Sequence, residues 1–254
     1  MIRSDRARRA VAPPLALLLM VLGSSRAGAE TQLITNGGFE EGGGSLLSWT
    51  TADQPGGDGG FFPQSGTTSP ILGDPVPGPP EGGFAAMTDA EGPGSHVLYQ
   101  DVVLPTQQLL SATLSFDLFI GNRADVFATP DTLDFTGVMN QQARVDLLSP
   151  TADPFSLLAG DVLMDLYRTE VGDPAVSGYT TFSFDLTPLL SSRAGETVRL
   201  RFAEVDNLFS FQFGVDNVSL TVQAIPEPGT LTLVGIAALG LAGVGLRRRR
   251  RERR

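Results

Sequence analysis

His96 is the only histidine in the chain, and there is no cysteine. Disulfides, thiolate nucleophiles, cysteine–metal sites and multi-histidine zinc sites are therefore excluded, and a single Ser–His arrangement is the most that nucleophilic catalysis has available. No Gly-x-Ser-x-Gly elbow accompanies that histidine, and no Walker loop, EF-hand or GxGxxG pattern offers a nucleotide or cofactor site. His96 begins a strand-like run after a Gly-Pro loop, which predicts an exposed residue at a strand end. Carboxylates are the abundant chemistry. Residues 30–225 hold 25 acids against six arginines and no lysine, a net charge of −19. Paired carboxylates roughly 5–9.5 Å apart hydrolyse glycosides, but in so acidic a domain some pair meets that spacing by chance. A domain of this charge is repelled by nucleic acid and by anionic lipid. It suits divalent cations or neutral glycans better, although plain solubility accounts for the acids equally well.

A glycan site calls for an aromatic platform beside amide, carboxylate or guanidinium groups. Trp49, the only tryptophan, falls in a strand-like run and reads as core. Tyr99, Tyr167 and Tyr179 are candidates that share no spacing. Asn122-Arg123-Ala124-Asp125, with Asp131 and Asp134 nearby, reads as a polar loop beside a site or as a solvated loop.

The elements that must position these groups are strands. Runs at 46–51, 84–88, 96–104, 109–120, 143–148, 179–186, 197–205 and 211–222 are rich in aliphatic, aromatic or threonine residues. Leu114, Phe116 and Leu118 alternate with Ser115 and Asp117; Phe182, Phe184 and Leu186 alternate with Ser183 and Asp185. Val198, Leu200 and Phe202 do the same, with Arg199 and Arg201 on the opposite face. A period of two with one polar face predicts antiparallel strands covering a core. Gly- and Pro-rich segments at 54–60, 65–83 and 91–95 separate the runs. Val162 to Leu166 is predicted as a single helical turn, and the recurrence of Val205-Asp206-Asn207 as Val215-Asp216-Asn217 as a coincidence within one hairpin. Roughly eight short strands between loops predict an all-β antiparallel sandwich or jelly roll over 30–224.

Asn36-Gly37-Gly38-Phe39-Glu40 opens this domain, and Gly214-Val215-Asp216-Asn217-Val218-Ser219-Leu220 closes it. With Tyr99-Gln100-Asp101-Val102 and Leu114-Ser115-Phe116-Asp117 between them, the bracketing resembles the galactose-binding-like jelly rolls, which include many carbohydrate-binding modules. That resemblance implies that the opening and closing strands lie together and share a structural Ca²⁺. Its ligands would be the Gly38 carbonyl and the carboxylates of Glu40 and Asp216. Oxygen donors of this kind suit Ca²⁺, which takes 6–8 of them.

The two ends read as addresses. Arg3, Arg6, Arg8 and Arg9, an apolar stretch from Val11 to Gly23 and Ala27-Gly28-Ala29 form a signal peptide over 1–29, with cleavage after Ala29. At the other end, Pro226-Glu227-Pro228 precedes an uncharged apolar run from Thr230 to Leu246 and an arginine block. The run approaches the ~17–25 residues that cross a bilayer, and the arginines keep their side cytoplasmic. This layout over 225–254 resembles the PEP-CTERM sorting signal of Gram-negative bacteria. The resemblance implies transient anchoring in the inner membrane, processing near Pro226, Glu227 and Pro228 by an exosortase, and delivery to the cell surface or exopolysaccharide matrix. The combined expectation is a non-catalytic, glycan-associated surface or biofilm-matrix protein. A purely structural or adhesive block and a glycoside hydrolase or lyase are the alternatives; ice binding lacks a regular threonine array.

Overall fold

The structure, a computed structural model, describes residues 30–225. The expected signal peptide with cleavage after Ala29, the Pro226-Glu227-Pro228 segment and the apolar run at 230–246 lie outside the described residues. Within them, the chain forms eleven strands and one helical turn, arranged as two antiparallel sheets packed face to face. The first sheet runs β3 (Gly60–Gln64), β4 (Ala85–Asp89), β11 (Phe211–Ala224), β6 (Leu109–Asn122) and β9 (Thr180–Asp185), with β1 (Glu30–Gln32) also on β11. The second runs β2 (Thr50–Asp53), β5 (Gly94–Val103), β10 (Thr197–Asp206), β7 (Gln141–Leu148) and β8 (Val162–Arg168).

Alternation in the sequence sets the inner faces. Leu114, Phe116 and Leu118 of β6 and Val198, Leu200 and Phe202 of β10 are all buried in one core. Phe116 sits at its centre, with ring centroids 5.7 Å from Phe184, 5.9 Å from Phe182 and 5.5 Å from Phe202. Each such side chain contributes about 1.5–3 kcal/mol by leaving water, so this layer holds the sheets together.

Three local expectations need correction. Val162 to Leu166 is part of edge strand β8, not a helical turn, because β7 offers it a ladder with register shifts at two points. The one helix among the described residues is a single turn, α1 (Thr187–Leu190), with a proline in its first turn. The Val-Asp-Asn repeats do not share a hairpin, since β10 and β11 belong to different sheets. Trp49 precedes β2 rather than lying within a strand, although it is core as expected, with 8% exposure. Short β1 and β3 carried too little pattern to read; β3 tolerates Pro63 because it is an edge strand.

Part of the outer face of the second sheet is covered. Arg199 and Arg201 point outward from β10 yet are 7% and 0% exposed, because the segment from Pro150 to Ser156 lies over them. Arg199 forks onto Asp101, donates to the carbonyls of Pro150 and Ala152, and lies 4.1 Å from the Tyr99 ring centroid. Arg201 pairs with buried Asp146 and donates to the carbonyls of Pro154 and Ser156, both at 2.8 Å. The two guanidiniums satisfy the backbone groups of a segment without regular structure, which lets it cover a sheet.

Candidate functional site

The opening loop and the closing strand meet. Asn36, at φ 53°, organises the loop: its side chain donates to the carbonyls of Ser45 and Leu47 and accepts from the Glu41 amide. Its own carbonyl accepts from Trp49 Nε1 at 2.9 Å. Phe39 is thereby driven into the core, 5.5 Å from Trp49. On β11 the ladder to β6 slips between Asp216 and Ser219, with Asn217 at φ 51°. The bulge frees the amide of buried Val218 from the ladder, and it donates to the Gly37 carbonyl at 2.9 Å. A Cβ on Gly37 would lie 1.9 Å from the Val218 carbonyl oxygen, so only glycine permits this seam.

Of the three residues named for Ca²⁺, each borders the same segment, Glu81 to Phe84. Glu40 Oε1 accepts from the amides of Gly83 and Phe84 at 2.7 and 2.8 Å. Asp216 Oδ2 accepts from the Glu81 amide at 3.2 Å. Glu81 Oε2 stands 2.8 Å from the place a Cβ on Gly38 would take. Glu81 is thus a fourth oxygen donor in this neighbourhood, and nothing in the glycine-rich stretch around it signalled that. Burial pushes the Asp216 carboxyl up to about 7; the Asn217 and Glu81 amides pull it back, while the Glu81 and Asp117 charges raise it further. The carboxylates of Glu40, Glu81 and Asp216 do not all come within 4.8 Å of one another. The seam gathers acids that backbone amides partly meet.

The four aromatics considered as sugar contacts are all engaged. Trp49 is core, Tyr99 lies under Arg199, and Tyr167 packs 4.9 Å from Phe182. Tyr179 packs 5.8 Å from Phe119, and its buried hydroxyl has no hydrogen-bond partner. The free aromatic is Phe209, 65% exposed in the loop that carries the chain from β10 to β11. It stands on the rim of a cavity of about 460 Å³ at one end of the sandwich. Asp74, Glu91, Asp206, Asn207 and Leu208 are among the residues that line it, and the Asn207 side chain is itself held by the carbonyls of Phe135 and Val138. The expected polar loop borders this cavity: the Arg123 amide donates to the Ser210 carbonyl, and its guanidinium reaches Gln212 and the Pro75 carbonyl. Asp134 turns away to Gln54 and Thr136. Leu208-Phe209 was legible only as two large apolar residues in a turn, where burial cannot explain them.

His96 is not an exposed strand-end residue. It is 1% exposed, because its side chain faces inward between the sheets, and its Nδ1 lies 2.8 Å from Asp53 Oδ1. Glu204 of β10 is its cross-strand partner.

Comparison with known proteins adds to both ends of this picture. Residues 224–251 match the PEP-CTERM protein-sorting motif. No curated protein matches the chain. Among solved structures, the chain is similar to TmCBM61 in complex with β-1,4-galactotriose, with a TM-score of 0.43 at 11% identity over 75% of this chain and 97% of that one. It is similar to the K3 cleaved adhesin domain of Lys-gingipain from Porphyromonas gingivalis W83, with a TM-score of 0.42 at 16% identity, covering 77% and 100%. A Stig cyclase from Fischerella sp. TAU gives 0.42 at 19% identity, covering 78% and 100%. The chain therefore joins an all-β two-sheet sandwich to a C-terminal PEP-CTERM sorting motif, and that motif implies export to the surface or the extracellular space.

Proposed function

We propose that this is a non-catalytic surface or matrix protein whose sandwich associates with neutral polysaccharide at the cavity beside Phe209. The sorting motif supports the location: an exosortase would process the tail near Pro226, Glu227 and Pro228 and release the domain from the inner membrane to the envelope of a Gram-negative cell. The exposed Phe209 ring carries the binding reading. A large aromatic left in solvent, above a polar cavity of the size that takes small ligands, is the arrangement that stacks on a sugar face while carboxylates and amides bond its hydroxyls. Net negative charge disfavours acidic polymers and leaves neutral ones.

Ca²⁺ would serve structure in this reading. The Gly38 carbonyl, Glu40, Asp216 and Glu81 supply hard oxygen donors, and a cation among them would offset the burial of Asp216 and join the two ends of the domain. Melting temperature should then rise with added Ca²⁺ and fall with chelator.

Affinity sedimentation of the full chain with insoluble and soluble neutral polysaccharides tests the binding. Phe209→Ala should weaken binding by about 30-fold, the equivalent of about 2 kcal/mol for a stacking anchor. Equal binding by the variant would overturn the site. No binding by either protein would favour a structural block without a glycan site, and turnover of the polysaccharide would revive the hydrolase or lyase reading.

A further inference from the structure

We infer that His96, Glu204 and Asp206 form a buried site for a divalent transition-metal ion, separate from the seam that holds Glu40 and Asp216. The clue begins in the strand pattern. Along β10 the core-facing positions run Val198, Leu200, Phe202 and then Glu204 and Asp206, while Ala203 and Val205 face outward. Pairing with β5 continues without a slip from Thr197 to Asp206, so no bulge returns the acids to solvent. Glu204 is 1% exposed and Asp206 2%. Ala203 and Val205 are buried instead under Leu133, Phe135, Phe155 and Leu157. The polarity of the strand is inverted over its last four residues, and two acids enter the space between the sheets.

One ligand atom from each of His96, Glu204 and Asp206 falls within 4.8 Å of the other two. Two of these groups lack a partner: His96 Nε2 and Glu204 Oε1 are buried and make no hydrogen bond. Buried polar atoms are ordinarily satisfied, so two orphans in one cluster point to a missing occupant. The imidazole is oriented for it. Asp53 takes Nδ1 and fixes the tautomer, leaving the Nε2 lone pair facing Gly94, whose amide donates to Asp206 Oδ1 at 2.8 Å. A carboxylate on the far nitrogen is the usual support of a metal-bound histidine.

One imidazole and two carboxylates suit a first-row transition ion better than Ca²⁺ or Mg²⁺, which prefer oxygen alone. Tetrahedral Zn²⁺ ligands at about 2.0–2.2 Å stand roughly 3.3–3.6 Å apart, so side-chain adjustments of about 1 Å close this set. Asp206 also lines the cavity beside Phe209, which gives an ion a way in. A divalent charge would offset the burial of both carboxyls.

The single histidine makes the test clean. The full chain, purified in detergent and stripped with chelator, is titrated with Zn²⁺ while the imidazole nitrogens are followed by NMR. The Nε2 signal should move to a metal-bound position and Nδ1 should stay protonated, with about one Zn²⁺ retained per chain after desalting, as a single site requires. Glu204→Gln and His96→Gln should each lower Zn²⁺ affinity at least tenfold and leave the Ca²⁺ response unchanged. An imidazole spectrum unmoved by Zn²⁺ would leave only a water between these groups and overturn the assignment, as would retention of Zn²⁺ undiminished in both variants. Where a variant fails to fold, the wild-type NMR titration decides.

Discussion

Removing the Asp146 carboxylate should cost this domain a large part of its stability, and removing its partner Arg201 should cost less. Asp146 is 0% exposed and carries two guanidiniums. Arg144 forks onto it through Nε at 2.9 Å and Nη2 at 2.7 Å, and Arg201 binds through the same two nitrogens. Asp146→Ala leaves Arg201 fully buried with two backbone carbonyls and no carboxylate bonded to it. Arg144 keeps only the half-exposed Asp165, at 3.4 Å. Stranding a buried charge this way costs about 3–5 kcal/mol, from a total that is typically about 5–15 kcal/mol. Arg201→Met leaves Asp146 held by Arg144; the carbonyls of Pro154 and Ser156 lose their donor, at about 1–3 kcal/mol for groups that water can partly reach. Urea unfolding reads both. With a slope near 2 kcal/mol/M, Asp146→Ala should move the midpoint by about 2 M and Arg201→Met by about half as much. A shift below about 0.5 M for Asp146→Ala, or a larger loss for Arg201→Met, would refute the view that this charge cluster pins the covering segment to the sheet.

Three further outcomes follow from the same geometry. Asp206 and Asp216 both titrate near 7 in the fold, against an ordinary value of 3.8, chiefly because of burial. Each is protonated in the folded state and ionised in the unfolded chain between those values, so the metal-free domain should be most stable near pH 4 and lose stability as pH rises to about 7. The loss is at most about 4 kcal/mol per group at 1.36 kcal/mol per unit; a melting temperature in chelator that rises over this interval would contradict it, and added Ca²⁺ should remove the Asp216 share. Gly37→Ala should destabilise the domain by about 1–3 kcal/mol, since its Cβ meets the Val218 carbonyl at 1.9 Å and the seam must open; an unchanged midpoint would mean that the loop docks elsewhere. Trp49→Ala should cost about 3–5 kcal/mol in denaturant titration without altering polysaccharide affinity in the surviving folded fraction, because this ring is core.

The sandwich was legible because its inner faces obey a period of two over long runs. Leu114 to Leu118 and Val198 to Phe202 placed two facing strands correctly from residue type alone. The seam between the first and last strands was legible as a resemblance, and Gly37 and Val218 show the contact that makes it. What the sequence hid was everything that depends on covering an outer face. Arg199 and Arg201 look solvated in any alternation, and the carbonyls that bury them come from residues 150–156, which have no periodicity. His96 was misread for a related reason: a histidine after a Gly-Pro loop looks terminal until Glu204 and Asp206 are seen to face inward beside it. Its signal was present in Phe202-Ala203-Glu204-Val205-Asp206, where the alternation continues while its polarity reverses. Phe209 needed the third dimension, because only the fold shows that a turn leaves it at the rim of a cavity.

The most direct test of glycan association at the 206–210 end of the sandwich is an amide NMR spectrum of the isotope-labelled chain, titrated with a neutral oligosaccharide that its polysaccharide partner contains. The account predicts saturable shifts at Asn207 to Ser210 and at Glu91 and Gly92, with Tyr99, Tyr167 and the β8 edge unmoved. Shifts confined to another face, or a spectrum unchanged at millimolar sugar, would contradict it.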